Sequence, residues 1–197
     1  MKDNNGNYIN TWTKNVYTLI KNLGLQYIWD MRDSVDIDIN VIARRLHDTY
    51  IQKWSSELES FSKLQTYNMF KNELCLEKYL LCVKNEKHRV ALSRLRCSAH
   101  KLAIEEGRYR NIERCDRICT LCNTHQIETE YHFILICPFY SDIRARFIKR
   151  YFRTWPNTNK FKSLMSSNIK GTICNLASFI YYATKAREMH ILNVQIT

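Results

Sequence analysis

The sequence contains little glycine and proline, with four Gly and two Pro among 197 residues. Because these residues favour turns, their scarcity predicts few turns and long helices. Long apolar runs are also absent: the longest, residues 173–183, includes Asn175 and Ser178 and is too short to cross a bilayer. The first residues lack the apolar core of a signal peptide. We therefore expect a helical, intracellular chain with no membrane contact.

Eight cysteines are present, but without an export signal they do not predict a disulfide framework. Four of them, Cys75, Cys82, Cys97 and Cys174, stand singly within helical patterns. At such positions cysteine usually serves as a small buried apolar residue, and we expect that here. The other four fall within residues 115–137, where their spacing indicates a different use.

Three of these cysteines and one histidine form a metal-ligand pattern: Cys119-Thr-Leu-Cys122, then His132, then Cys137-Pro138. Three thiolates and one imidazole at this spacing can surround a single Zn²⁺ ion tetrahedrally. Four protein ligands leave no open position for a reactive water molecule. The pattern therefore predicts one structural zinc ion that takes no part in catalysis.

Two neighbouring residues are alternative ligands for the same ion. His125 could replace His132, but it follows the first cysteine pair so closely that the chain would close a short, strained ring, so we favour His132. Cys115 could act as a spare ligand, although the set of four is complete without it. We also expect Glu128 or Glu130 to accept a hydrogen bond from the His132 ring.

The formal charge of +11 is unevenly distributed along the chain. Residues 1–83 carry ten basic and ten acidic side chains. Residues 84–117 carry ten basic against five acidic, and residues 138–170 carry eight against one. Positive charge thus lies on both sides of the predicted zinc site. This distribution predicts a polyanionic partner, with nucleic acid as the first candidate.

Basic residues before and after the zinc pattern are the candidate nucleic-acid contacts. Those before it recur at helical spacing, so several share one face of a predicted helix. Tyr109 and Phe139 could stack on bases, although a place in the core suits their sequence context equally well. The full set of candidate contacts is Arg89, Arg94, Arg96, His100, Lys101, Arg108, Arg117, Arg144, Lys149, Arg150 and Arg153.

Apolar residues at steps of three and four predict a mainly α fold: an irregular helical bundle with a small Cys3His zinc knuckle inserted between basic helices. We divide the chain into a helical scaffold at residues 1–83, a basic helix plus zinc module at 84–155, and a C-terminal helical segment at 156–197 that packs on the bundle. The predicted helices run from the cap Asn10 to Gly24, from a cap at Asp36 or Asp38 to Phe61 as the longest helix, and over residues 71–82, 85–106 (ending at Gly107), 138–152, 161–165 and 169–192.

The residues around the zinc pattern also form a recognisable combination. They read Ala91-Leu-Ser-Arg94-Leu-Arg96-Cys-Ser-Ala-His100-Lys101-Leu102 before it, then Asp116-Arg-Ile-Cys119 and Glu128-Thr-Glu130-Tyr-His132-Phe133 within it. Together they resemble the C-terminal Cys-Cys-His-Cys region of reverse transcriptases from non-LTR, LINE-type retrotransposons. The resemblance covers roughly residues 84–147.

This resemblance implies an accessory region that helps a polymerase hold its RNA template or target DNA, with Cys119, Cys122, His132 and Cys137 as metal ligands. It carries over nothing catalytic, because the chain has no Tyr-x-Asp-Asp carboxylate pair to hold catalytic metal ions. We therefore expect a non-catalytic, nuclear, C-terminal remnant of such an element, with nucleic acid and the parent polymerase portion as partners. The alternative is a zinc-dependent protein-docking module without direct nucleic-acid contact.

Overall fold

The computed structural model describes residues 10–30 and 39–196, with side chains described through Val194. The chain forms two compact units, Met1–Leu58 and Glu59–Thr197. This division differs from the boundaries drawn from sequence at residues 83 and 155, because residues on both sides of those boundaries share one hydrophobic core. Phe70 from the predicted scaffold and Phe161 from the predicted C-terminal segment both belong to it.

In its described residues, the first unit contains helices that pack around a small apolar cluster. Leu23, Leu25 and Ile28 are buried in this cluster, and Ile20 and Val41 pack against it. The helices are α1 (Thr11–Asn22), α2 (Gln26–Asp30) and most of α3 (Ile39–Ser60).

Both predicted ends of α1 are confirmed. The Asn10 side chain accepts a hydrogen bond from the Thr13 amide at 2.7 Å and so caps the helix. Gly24 lies just past the other end with a φ of 69°, a left-handed conformation that glycine adopts without steric cost. The predicted caps of α3, Asp36 and Asp38, lie outside the described residues.

The second unit begins with helices α4 (Gln65–Asn68), α5 (Lys78–Cys82), α6 (Glu86–Arg96) and α7 (Ala103–Tyr109). The prediction of a helix over residues 71–82 is wrong except for its last turn, which corresponds to α5. Lys71 explains the loop that replaces it, since its Nζ atom donates to the Cys75 carbonyl oxygen at 2.9 Å and lies 3.1 Å from the Glu77 carboxylate.

The single helix predicted over residues 85–106 is divided in two. It breaks after α6, where Ser98 adopts a φ of 51°. The Ala99 amide then donates to the Arg94 carbonyl oxygen at 2.7 Å, a bond typical of a helix end with a left-handed residue. Gly107 does not end a helix but lies inside α7. It is needed there because a Cβ atom at this position would meet Arg117 Cγ at 2.6 Å.

The rest of the second unit contains α8 (Ser141–Phe147), α9 (Arg150–Arg153), α10 (Thr158–Met165) and α11 (Lys170–Ile196). The helix predicted over residues 138–152 is interrupted at Ile148, whose backbone is extended and whose side chain is buried in the core. With 27 residues, α11 exceeds the 22 residues of α3, so the prediction that α3 is the longest helix is wrong.

Helix α11 packs along α6 and α8 and supplies much of the core, including Phe179 and Ile180. Within the described ranges, the only β pairing is an isolated antiparallel bridge between Ile118 and Ile127. The predicted mainly α fold, an irregular helical arrangement with a Cys3His cluster, is confirmed. None of the described helices combines the length and the apolarity needed to cross a bilayer.

Candidate metal centre

The first two cysteines of the pattern lie on a tight loop between residues 117 and 128. The antiparallel bridge between Ile118 and Ile127 closes the base of this loop. Next to the bridge, the Cys119 amide donates to the Gln126 carbonyl oxygen at 2.9 Å. These backbone bonds fix the position of the first ligand without any help from a longer strand.

The other two ligands lie at the start and just past the end of a π-helical turn, His132–Ile136. The Cys137 amide donates to the His132 carbonyl oxygen at 2.8 Å, which closes this wider turn. In an α-helix, residues five positions apart would face directions about 140° apart. The π turn brings them to one side, and Pro138, which has no amide hydrogen, follows it.

The four predicted ligands come together in the structure. Their ligand atoms all lie within 4.8 Å of one another. Cys119 Sγ is 3.9 Å from Cys137 Sγ, and Cys122 Sγ is 3.4 Å from His132 Nε2. A tetrahedral ion with metal–sulfur bonds of about 2.3 Å and metal–nitrogen bonds of about 2.0 Å needs edges of about 3.8 and 3.5 Å. The cluster therefore has the dimensions to hold one four-coordinate metal ion.

Gln126 fixes the histidine ligand. Its Oε1 atom lies 3.1 Å from His132 Nδ1. If Nε2 binds a metal, Nδ1 carries the ring proton and donates it to this oxygen, which orients the ring. The expectation that Glu128 or Glu130 accepts this hydrogen bond is wrong, because both carboxylates are engaged by other residues.

Glu128 is a buried carboxylate beside the cluster, with only 1 % of its surface exposed. Its Oε1 atom lies 3.6 Å from Cys119 Sγ, and its Oε2 atom accepts from the Ala103 amide at 2.7 Å. Arg187 of α11 donates to both carboxylate oxygens, with Nη2 at 3.0 Å from Oε2. Arg187 thus neutralises this charge and joins α11 to the metal centre. Sequence spacing gave no signal for it, since the two partners are 59 positions apart.

Glu130 is also buried, but it faces the loop between α6 and α7. It lies 3.0 Å from His100 Nε2 and accepts from Thr66 Oγ1 at 2.9 Å. Burial disfavours its charged form, yet the contacts with His100 and Thr66 outweigh burial and hold the pKa of Glu130 below its usual range. His100, a predicted nucleic-acid contact, is therefore occupied inside the protein.

Arg144 stabilises the π turn and does not face solvent. It is 6 % exposed, and its guanidinium donates to the carbonyl oxygens of Ile134 and Cys137, each at 2.7 Å. These carbonyls belong to the end of the turn, where helix carbonyls lack partners along the chain. The prediction that Arg144 contacts nucleic acid is corrected: it holds the segment that carries a metal ligand.

Arg96 is buried as well, with 5 % of its surface exposed. Its guanidinium donates to the Met165 carbonyl oxygen at 2.6 Å, pairs with Glu77 at 2.9 Å and lies 4.4 Å from the centre of the Phe70 ring. These partners lie 19 to 69 positions away, so nothing nearby in the sequence indicates them. The prediction that Arg96 contacts nucleic acid is corrected in the same way.

Three further predicted contacts are partly exposed but already engaged in hydrogen bonds. Each of them donates to at least one backbone carbonyl, and one also pairs with a carboxylate. The bonds are Arg89 to Val83 O at 2.9 Å, Arg108 to Ser62 O at 3.1 Å and to Glu105 at 3.2 Å, and Arg117 to Ile104 O at 2.8 Å and to Ile112 O at 3.0 Å.

The remaining predicted contacts are free for an outside partner. Arg94, Lys101, Lys149 and Arg150 are exposed, and Arg153 is half-buried. No salt bridge involves any of them within the part of the chain that the structure describes. Fewer of the predicted contacts are therefore accessible than the sequence indicates, and the accessible ones belong to α6 with the loop after it and to α9 with its flanks.

The two predicted stacking residues have different environments. Tyr109 is 73 % exposed, and its hydroxyl lies 3.4 Å from Lys63 Nζ. Phe139 is half-buried and packs edge-on against Tyr140 and His190, with ring centres 4.9 and 5.1 Å away. Phe139 therefore belongs to the core, whereas Tyr109 is accessible.

The alternative ligands lie outside the cluster, since His125 and Cys115 are both exposed and neither is among the grouped ligand atoms. The prediction that the four single cysteines are buried is wrong. Two of them are exposed, Cys75 and Cys97, and two are half-buried, Cys82 and Cys174.

The Cys119 and Cys137 thiols share a hydrogen bond that shifts their pKa values in opposite directions. It is the main reason why the pKa of Cys119 rises to about 12, with burial adding to the effect, and why the pKa of Cys137 falls. A metal ion binds thiolates, so it must displace these protons. Metal affinity should therefore decrease as the pH falls.

No family model, curated protein or solved structure matches this chain. Its function must accordingly be inferred from its own residues.

Proposed function

We propose that this chain is a non-catalytic nucleic-acid-binding module stabilised by one zinc ion. The observation that carries the proposal is the Cys3His cluster with exposed, unpaired basic residues on the chain before and after it. Phosphates bind arginine and lysine side chains that have no internal acidic partner, and most affinity for nucleic acid comes from such contacts.

Zinc is the ion that suits the ligand set. Thiolate and imidazole ligands in a tetrahedral arrangement favour Zn²⁺ over magnesium or calcium, which prefer oxygen ligands. Cys119, Cys122, His132 and Cys137 would hold the ion and join the loop at residues 117–128 to the π turn. Four protein ligands leave no site for an activated water, which supports a structural role.

We further propose that the module derives from the C-terminal region of a LINE-type reverse transcriptase, where it would hold RNA template or target DNA for the polymerase portion. The proposal rests on the combined motif over residues 84–147. Nuclear location follows from the same proposal.

Salt-dependent binding with paired charge reversals tests the nucleic-acid function. Lys149→Glu with Arg150→Glu should weaken binding of a labelled RNA or DNA strand, and the wild-type affinity should fall by ~0.7–0.9 log units per log unit of salt for each phosphate neutralised. The matched control, Arg44→Glu with Arg45→Glu on exposed positions of α3, changes the net charge equally. Equal losses in both double variants, or an affinity unaffected by salt, would refute specific contact by this basic surface.

Protein docking remains the second candidate function because one surface stretch is unusually apolar. Leu74, Leu76, Leu80 and Leu81 are between 40 % and 71 % exposed. Clustered exposed leucines on a monomer often mark a binding site for another protein. If charge reversal leaves nucleic-acid retention unchanged while Leu76→Asp with Leu81→Asp abolishes a protein contact, the docking function is favoured.

A further inference from the structure

Two large aromatic side chains are exposed in and just after α9. Trp155 is 86 % exposed and Tyr151 is 62 % exposed. Trp and Tyr normally bury most of their area, and exposed examples are typical of binding surfaces. Their neighbour Phe152 is buried in the core, so the segment that presents them is anchored to the second unit.

The backbone at Trp155 is strained. Its φ is 48°, which is a genuine outlier for a bulky residue. The residue before a proline normally adopts an extended conformation, and Pro156 follows directly. Such strain persists only where the surroundings impose it, and it is concentrated at functional sites. Here the strained backbone holds the Trp155 side chain in solvent, where its burial cannot stabilise the fold.

Lys160 holds the turn around Trp155 in place. Its amide donates to Asn157 Oδ1 at 2.9 Å, and its Nζ atom donates to the Thr154 carbonyl oxygen. The same Nζ atom lies 4.7 Å from the centre of the Tyr151 ring. One ammonium group therefore contacts both the peptide unit that leads into Trp155 and one face of the Tyr151 ring, and it links the two positions.

The charge around these aromatic residues is entirely positive along the chain. No acidic residue occurs between Asp142 and Glu188, whereas ten of the residues between them are Lys or Arg. Lys149 and Arg150 are exposed directly before Tyr151, and Arg153 is half-buried after it. Exposed aromatic rings among cations that have no acidic partner are typical of proteins that bind single-stranded nucleic acid: bases stack on the rings and phosphates contact the cations.

We propose that Trp155 and Tyr151 form a stacking surface for unpaired bases of a single-stranded nucleic acid, with Lys149, Arg150 and Arg153 contacting its phosphates. The inference rests on the proposed nucleic-acid function and names its surface and its substrate class. Duplex DNA is a poorer ligand for this surface, because its bases are already stacked on one another and turn only their edges to a protein.

The test compares a labelled strand of about 12 nucleotides with an abasic strand of the same length, by fluorescence anisotropy on the full chain. Trp155→Ala should weaken binding of the base-containing strand about tenfold and leave binding of the abasic strand unchanged. Trp155→Phe should retain most of the affinity. Trp155→Gly should weaken binding of the base-containing strand to the same extent as Trp155→Ala and yet unfold at the same or a higher temperature, since glycine adopts a positive φ without strain. The matched control is Trp12→Ala, which removes another exposed tryptophan, 71 % exposed, from the first unit.

The outcomes separate this inference from the proposed function. If the wild type binds the strand and Trp155→Ala binds it equally well, the stacking surface is refuted and the nucleic-acid function stands. Equal losses on the two kinds of strand would also refute stacking, because they would reveal a general structural or charge effect. A wild type that binds neither strand overturns both proposals and leaves the aromatic surface as a protein contact.

Discussion

His132 presents its Nε2 atom to the other three ligands while Gln126 lies 3.1 Å from its Nδ1 atom. Glu128 and Arg187 form a buried pair on the other side of the cluster, against Cys119. At the scale of single residues, the geometry of the candidate metal centre thus depends on side chains outside the ligand set. Such outer residues fix the rotamer, tautomer and charge of the ligands.

Replacing Gln126 should weaken metal binding without unfolding the protein. In Gln126→Ala the Cys119 amide keeps its bond to the carbonyl oxygen at position 126, but the His132 ring loses its acceptor. Loss of such a partner typically lowers metal affinity ten- to a hundredfold, so about that decrease is expected. Competition with a chromogenic chelator measures it.

His125→Ala is the control for this prediction. His125 is exposed and lies outside the cluster, so its loss should leave the metal affinity unchanged. A decrease in His125→Ala as large as in Gln126→Ala would mean that His125, and not His132, is the ligand.

The sequence was informative about the ligands but misleading about the arginines. Cys119, Cys122, His132 and Cys137 were predicted because a short ligand spacing reports directly on metal geometry. For Arg96 and Arg144, by contrast, a place on a basic helix predicts a surface position, since charge normally stays in water. Both side chains are buried. Arg144 donates to two carbonyl oxygens, and Arg96 donates to a carbonyl oxygen and to a carboxylate that only the tertiary fold brings near.

At the scale of elements, too, features set by local chemistry are predicted from the sequence, whereas features set by the wider fold are missed. The cap at Asn10 and the turn at Gly24 follow from local chemistry and are confirmed. Neither glycine nor proline marks the breaks at Ser98 and Ile148, so the apolar periodicity predicts uninterrupted helices at these positions. The π turn at His132–Ile136 differs from an α-helix only by one wider hydrogen bond, which the apolar pattern cannot register.

Gly107 in α7 provides a test at this scale. Alanine is ordinarily better than glycine inside a helix by about 1 kcal/mol. Here the new Cβ atom would meet Arg117 Cγ at 2.6 Å and Cδ at 2.8 Å, and two hydrogen bonds from the guanidinium to backbone carbonyls restrain that side chain. Gly107→Ala should therefore lower the free energy of unfolding by roughly 1–3 kcal/mol, measured by urea denaturation.

Gly171→Ala is the matched control on α11. Nothing lies within 4 Å of a Cβ atom at that position, so the propensity term acts alone and the variant should be as stable as wild type or up to about 1 kcal/mol more stable. If both variants are stabilised, Arg117 moves aside freely and does not hold α7 against the loop at residues 117–128.

At the scale of the whole molecule, the metal centre and the hydrophobic core are continuous. Cys119 and Cys137 are buried members of the core of the second unit, together with residues of α6, α10 and α11. The basic residues left accessible lie on the chain before and after this centre. We therefore expect the ion to act as a structural tie that fixes the two basic surfaces within one unit, with binding carried out by the side chains around it.

Metal content is the measurement that tests this account most directly. Protein purified at neutral pH without a chelator should contain one zinc ion per chain by elemental analysis, and Cys137→Ser should lose most of it, whereas Cys115→Ser should keep it. Wild-type protein that is folded and contains no zinc or other transition metal would contradict the account at its centre.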